Sequence, residues 1–230
     1  MHYSSSDDKK INFSWKKAKL HAINRNSKKT IESRIHAITE ICEHLKLGRK
    51  FIYIDESGFG RKTIPLFGYA KLGKPYVIRG SVSSHNFSVI AAITSEKILG
   101  LQIYEKSVSA KDFGCFLVTL LNANPEIRNN LDNYVFFMDN ARVHKAKVLK
   151  EFYENLHVCY NAPYSPFLNP IEEVFARWKF EFRKFNADTK ETFYNNIIRS
   201  SLVLEEKHLC AYTKHAFKFF LLCLKGEEIE

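Results

Sequence analysis

The chain has 230 residues, 45% hydrophobic and 26% charged, an ordinary globular composition. A chain of this size hides roughly 70–75% of its unfolded surface on folding, so it needs neither disulfides nor a structural metal to hold together. Lys and Arg outnumber Asp and Glu by 35 to 25, giving +10, a balance that points toward polyanionic partners. The longest apolar run, Phe219 to Leu224, is far short of the ~20 residues needed to cross a bilayer, and the start MHYSSSDDKK lacks a signal-peptide apolar region. Neither a membrane-spanning protein nor one secreted by that route is expected. The five cysteines, at 42, 115, 159, 210 and 223, form no C-x-x-C pair and have no matching histidine spacing. That disfavours a zinc ribbon or finger and suggests a reducing, intracellular setting.

In chain order, residues 1–30 read as irregular and strongly basic. Residues 1–50 carry 12 Lys or Arg against 5 Asp or Glu, whereas 51–230 carry 23 against 20. Clustered cations gain affinity for phosphates by releasing condensed counterions, so this segment, with Lys16, Lys17, Lys19, Arg25, Lys28 and Lys29, is the candidate polyanion-facing part, the other reading being a solvated, partly disordered arm. Ile31, Ile35, Ile38, Ile41 and Leu45 then form one stripe of an amphipathic helix, with Thr30 as its cap and Gly48 as its end. Strands are predicted at Phe51–Ile54, Phe87–Thr94 and Ile98–Tyr104, the last two joined by a turn at 95–97. Next come a helix over Phe113–Leu121, a strand over Tyr134–Met138, a helix over Ala146–Leu156 and a short strand over Val158–Tyr160. Helical periodicity continues through 170–185, 189–206 and 210–224. This order predicts an α/β fold with a mixed, largely parallel sheet of five strands covered on both faces.

Two of these strands end alike. Phe51-Ile52-Tyr53-Ile54 runs into Asp55-Glu56, and Tyr134-Val135-Phe136-Phe137-Met138 runs into Asp139-Asn140. In open α/β sheets ligands bind beyond the carboxyl ends of strands, so parallel neighbours would set Asp55 beside Asp139 where a site is expected. Taken alone, each Asp does no more than cap a turn. As a pair they repel, and the repulsion is relieved by a raised pKa or by a hard divalent cation such as Mg²⁺ or Mn²⁺. A third carboxylate follows the proline-stiffened loop from Asn161 to Pro170. There Asn169 suits the N-cap, Pro170 the first helical position, and Glu172 a capping box. The helix then buries Ile171, Val174, Phe175, Trp178, Phe182 and Phe185, and a rigid helix start presenting a carboxylate beside two aspartates suits two-metal phosphoryl transfer. Gly58-Phe59-Gly60-Arg61-Lys62-Thr63 lacks the Gly before Lys of a phosphate loop, and Ser57 lacks the preceding Gly of a nucleophile elbow. Neither an ATPase nor a serine hydrolase is indicated.

Three blocks, Ile54-Asp55-Glu56-Ser57-Gly58-Phe59, Met138-Asp139-Asn140-Ala141-Arg142-Val143-His144 and Ala162-Pro163-Tyr164-Ser165-Pro166-Phe167-Leu168-Asn169-Pro170-Ile171-Glu172, resemble the catalytic blocks of the mariner-type DDE transposase superfamily, particularly its bacterial insertion-sequence branch. The resemblance spans about residues 30 to 185. It implies a ribonuclease H-like fold in which Asp55, Asp139 and Glu172 bind two Mg²⁺ or Mn²⁺ ions per site, with Asn140 and His144 as auxiliaries. The implied activity is metal-dependent cleavage and strand transfer of DNA at transposon ends, on DNA as end and target, by a homodimer. The family usually begins with about a hundred residues of paired helix-turn-helix modules, whereas some fifty residues precede the first catalytic strand here. The resemblance therefore implies a basic linker and helix at 1–48, a remnant of the end of a DNA-binding region, ahead of a catalytic domain at 49–230. Such a chain is the second product of a split frame, served by a separately encoded helix-turn-helix protein, or a truncated copy. The alternative is an inactive remnant that only binds DNA and dimerises. The expected location is the cytoplasm with the nucleoid, or the nucleus of a eukaryote.

Overall fold

The computed structural model describes residues 22–60, 86–185 and 189–229, so Lys16, Lys17 and Lys19 and the segment Arg61-Lys62-Thr63 lie outside the described residues. A 3-10 turn, Ile23–Asn26, leads into α1 (Lys28–Lys46). The helix starts earlier than its apolar stripe suggested because Ser27, not Thr30, is the cap. Ser27 Oγ accepts from the Thr30 amide, while the Thr30 hydroxyl donates to the Asn24 carbonyl at 2.8 Å. Gly48, at φ +73°, ends it as expected, in the left-handed conformation that only glycine adopts without strain.

The strands are β1 (Lys50–Phe59), β2 (Phe87–Ile93), β3 (Ile98–Tyr104), β4 (Tyr134–Met138) and β5 (His157–Tyr160), in the spatial order β3-β2-β1-β4-β5. β1 pairs in parallel with β4, and β4 with β5, while β1 with β2 and β2 with β3 are antiparallel. The sheet is thus evenly mixed rather than largely parallel. β1 also does not stop at Ile54. β2 pairs with it from Tyr53 to Phe59, holding Asp55 and Glu56 extended after β4 has stopped pairing at Phe137 opposite Tyr53.

Alternation along β1 and β4 builds two cores. Phe51, Tyr53, Val135, Phe137 and Cys159 face a layer made by α1, α5 (Ile171–Phe182), α6 (Lys190–Ser201) and α7 (Glu206–Leu224). Ile52, Ile54, Phe136 and Met138 face α2 (Ala110–Ala123), the short α3 (Pro125–Arg128) and α4 (Lys147–Tyr153). α2 begins three residues before the predicted Phe113 because Ser109 and Asp112 close a capping box. α4 is shorter than its prediction because a 3-10 turn, Arg142–Lys145, precedes it and a turn follows Tyr153. Each buried Phe, Ile or Leu in these layers contributes roughly 1.5–3 kcal/mol. Trp178 of α5 is core: its ring packs on Phe59, and its indole N–H donates to the Ile197 carbonyl and Ser200 Oγ, both at 2.9 Å, locking α6 onto α5. α1 is part of the same body, burying Ile38 and Ile41 in the first core. No helix among the described residues is long and apolar enough to cross a membrane.

Candidate active site

The parallel register Lys50–Tyr53 with Tyr134–Phe137, continued by two residues, sets Asp55 opposite Asp139. Both have odd numbers, like Tyr53 and Phe137, and so face the side of the sheet that α5 covers. Glu172 arrives from the first turn of α5. The three carboxylates line one cleft of about 350 Å³, closed on its other side by the loop from Asn161 to Asn169, with Asn140 at its edge.

The environments differ. Asp55 is only 8% exposed, and its Oδ1 accepts from the Glu56 amide at 2.8 Å. Burial first, then the charge of Glu172, pushes its pKa up to about 8. Glu172 stands at the rim of the cleft, yet its surroundings strip enough water to raise its pKa as well, and its carboxyl group hydrogen-bonds Asp55. The expected capping box is therefore not closed. Asn169 is extended and its Oδ1 accepts from the Ile171 amide at 3.4 Å, but the Glu172 side chain turns toward Asp55 instead of back to the cap. Lys179, two turns along α5, opposes the negative charge: burial lowers its pKa while Glu172 and Asp55 raise it.

Asp139 has a different partner. His144, with no exposed surface, meets Asp139 Oδ1 with Nδ1 at 2.8 Å and Glu56 Oε1 with Nε2 at 3.0 Å. Burial alone would lower the imidazole's pKa, but these two carboxylates outweigh it and push it up to about 10. The hydrogen bond from His144 in turn holds Asp139 below the usual carboxylate range. Phe113 covers the imidazole face, with ring centroids 4.4 Å apart. Glu56, one residue after Asp55, points to the other side of the sheet and so becomes a partner of His144, not a fourth carboxylate in the cleft. His144 holds Asp139 and Glu56 in place from beneath, rather than lining the cleft itself.

The loop that delivers Glu172 is held by a residue for which the sequence carried no signal. Arg34 of α1, fully buried, donates from Nε to Ser165 Oγ at 2.8 Å and from Nη1 to Asn26 Oδ1 at 3.0 Å, and packs on the ring of Phe167. Ser165 Oγ in turn donates to the Pro163 carbonyl, and Asn161 Nδ2 donates to the Ser165 carbonyl at 2.8 Å. Tyr164, at φ +53°, marks the sharp turn between them. Glu173 pairs with His215 of α7, away from the cleft. Among the basic candidates, Lys28 and Lys29 are exposed on the first turn of α1. Arg25 is engaged internally, donating to the Ile229 carbonyl at 3.0 Å and lying over the Phe167 ring.

The cleft gathers carboxylate oxygens at the carboxyl ends of two parallel strands, a donor set suited to hard cations. The donor set fits Mg²⁺ or Mn²⁺ far better than softer ions, and Asp55 and Glu172, whose pKa values are raised first by burial and then by neighbouring carboxylates, would ionise more readily beside such a cation. The family model for the DDE superfamily endonuclease matches residues 50–193, and the chain belongs to that family. The fold is that of the ribonuclease H-like transposase catalytic domains. It superimposes on a pre-cleavage Mos1 transpososome with a TM-score of 0.77, at 16% identity, over 97% of this chain and 69% of that one. A Mos1 mariner paired-end complex with Mn matches with a TM-score of 0.75, at 16% identity, over 96% and 68% of the two chains. The isolated catalytic domain of Mos1 mariner transposase matches with a TM-score of 0.67, at 15% identity, over 94% and 100%. A sequence search of curated proteins found no match.

Proposed function

We propose that this chain is the catalytic part of a DNA transposase of the bacterial insertion-sequence branch, cutting DNA phosphodiesters at transposon ends and joining them to a target. The observation that carries the reading is the gathering of Asp55, Asp139 and Glu172, from three separate elements, in one cleft. Asp55, Asp139 and Glu172 would hold two divalent ions, Mg²⁺ or Mn²⁺, whose chemistry is to neutralise the attacked phosphate and acidify the attacking hydroxyl. In the first step water attacks phosphorus and the P–O3′ bond breaks, freeing a 3′-hydroxyl. In the second that hydroxyl attacks a target phosphate and displaces another 3′-oxygen. The protein's share is positional. His144 fixes Asp139, the Arg34-held loop fixes the start of α5, and Lys179 keeps part of the negative charge balanced between substrates.

In this reading residues 1–48 are the DNA-facing arm, with Lys16, Lys17, Lys19, Lys28 and Lys29 as its cations, Arg25 being engaged with Ile229 and Phe167, and α1 as the part that docks on the catalytic unit at 49–230. A homodimer would pair two ends, a separately encoded helix-turn-helix protein would read the terminal repeats, and the chain would work at the nucleoid, or in the nucleus of a eukaryote. The test is nicking of supercoiled plasmid by the purified chain with Mn²⁺ or Mg²⁺. Asp55→Asn, Asp139→Asn and Glu172→Gln are each expected to abolish nicking and keep the fold, while Glu173→Gln retains it. Nicking that survives in all three would sink the assignment. A wild-type chain that binds DNA but never nicks it would favour the inactive remnant.

A further inference from the structure

A second cluster of metal-binding side chains lies where α1 packs on β5. Glu40 and His44 stand one turn apart on the same face of the helix, and Cys159 is buried on the facing strand. One ligand atom from each of the three lies within 4.8 Å of the others. The Glu40 carboxylate is hydrogen-bonded to the Cys159 thiol. His157, two residues before Cys159 and therefore on the same face of the strand, has its ring centroid 5.5 Å from that of His44. Its Nε2 stands 3.7 Å from the Asp132 carboxylate, so His157 lies beside the cluster without joining it.

We propose that Glu40, His44 and Cys159 bind one zinc-class divalent ion that ties α1 to β5, with water as the fourth donor. The protein donors are one thiolate, one imidazole and one carboxylate, the mixture that four-coordinate zinc takes. It is also the mixture that Mg²⁺ and Mn²⁺ take poorly, so this site and the all-oxygen cleft sort different metals by ligand chemistry alone. Binding replaces the thiol hydrogen of Cys159 by a metal–sulfur bond and releases that proton to solvent. Arg49, whose Nη1 donates to His44 Nδ1 at 2.9 Å, gives up that hydrogen bond if Nδ1 becomes the ligating atom, and keeps its bond to the Asp132 carbonyl. The assignment does not rest on the endonuclease reading.

The test uses the purified full chain, reduced and stripped of metal, titrated with Co²⁺ in the presence of excess Mg²⁺ to occupy the carboxylate cleft. One cobalt ion per chain is expected, with thiolate-to-cobalt charge transfer in the near ultraviolet and tetrahedral d–d bands in the visible, both removed by added Zn²⁺. Cys159→Ser abolishes the charge-transfer band, Glu40→Gln and His44→Ala each weaken cobalt binding by about tenfold or more, and Asp55→Asn leaves the band in place. A wild-type chain without the band overturns the proposal, as does a band that survives Cys159→Ser, which would place the ion on another thiol. If Cys159→Ser does not fold, His44→Ala on the helix surface decides, and unchanged cobalt affinity there overturns it equally.

Discussion

Replacing Asp55 by Asn should make the metal-free protein more stable, and by an amount that depends on pH. The amide is isosteric, keeps the bond from the Glu56 amide to Oδ1, and can donate to Glu172. What it removes is a carboxyl group only 8% exposed, whose pKa rises from 3.8 to about 8. The folded wild type holds a proton that the unfolded chain releases above about pH 4, so wild-type stability falls relative to the variant as pH climbs from there and levels off near pH 8. At about 1.4 kcal/mol per pH unit the ceiling at pH 7 is about 4 kcal/mol, and because the cleft opens to solvent roughly 2 kcal/mol is the working figure. In a chain of this length that moves the melting temperature by roughly 4–8 °C. Calorimetric melts in chelator, from pH 4 to pH 8, should show the two proteins converging at the acid end and the variant ahead at the alkaline end. Saturating Mn²⁺ should raise the wild type by about 2.7 kcal/mol at a hundredfold excess over its dissociation constant and leave the variant nearly unmoved. A variant no more stable than wild type at pH 8, or an advantage equal at both ends, would refute the account of the cleft as a site of frustrated carboxylates.

Removing the imidazole in His144→Gln leaves Glu56 and Asp139 without their shared cation and should cost about 3 kcal/mol by urea denaturation at pH 6.5. Since the imidazole's pKa is raised from 6.5 to about 10, its contribution is full below pH 6.5 and lost as pH rises through 10, and a wild-type-to-variant difference that ignores pH would reject the bridge. Arg34→Met should lower the melting temperature, because Ser165 Oγ, Asn26 Oδ1 and the Arg25 carbonyl lose their donor, and should cut metal-dependent nicking by the folded variant about tenfold by freeing Ser165; unchanged nicking would mean the loop sets Glu172 unaided. Trp178→Phe strips two buried acceptors, the Ile197 carbonyl and Ser200 Oγ, of their donor and should destabilise by about 2–3 kcal/mol in thermal melts, where a loss under 1 kcal/mol would show that α6 is held by apolar packing alone.

The apolar runs before Asp55 and Asp139 are readable without a structure because a buried strand must be β-rich and must end where polarity returns. The Asn-Pro helix start is readable because capping chemistry is local. The same local rules put Trp178 in the core. What they could not supply was pairing. That β1 continues through Asp55 depends on β2 reaching past β4, and only this extension sends Asp55 to the α5 side and Glu56 to His144 on the other. The capping box expected at Glu172 was overruled by a carboxyl group from another element. Arg34 and Ser165, 131 residues apart, and the Glu40–His44–Cys159 corner leave no trace in sequence spacing. Period and capping are written within a turn or two of chain, so the sequence alone determined the elements and the residues at their ends. Which side chains meet across elements depends on register and on which face a helix covers, and those were decided only by the packed sheet.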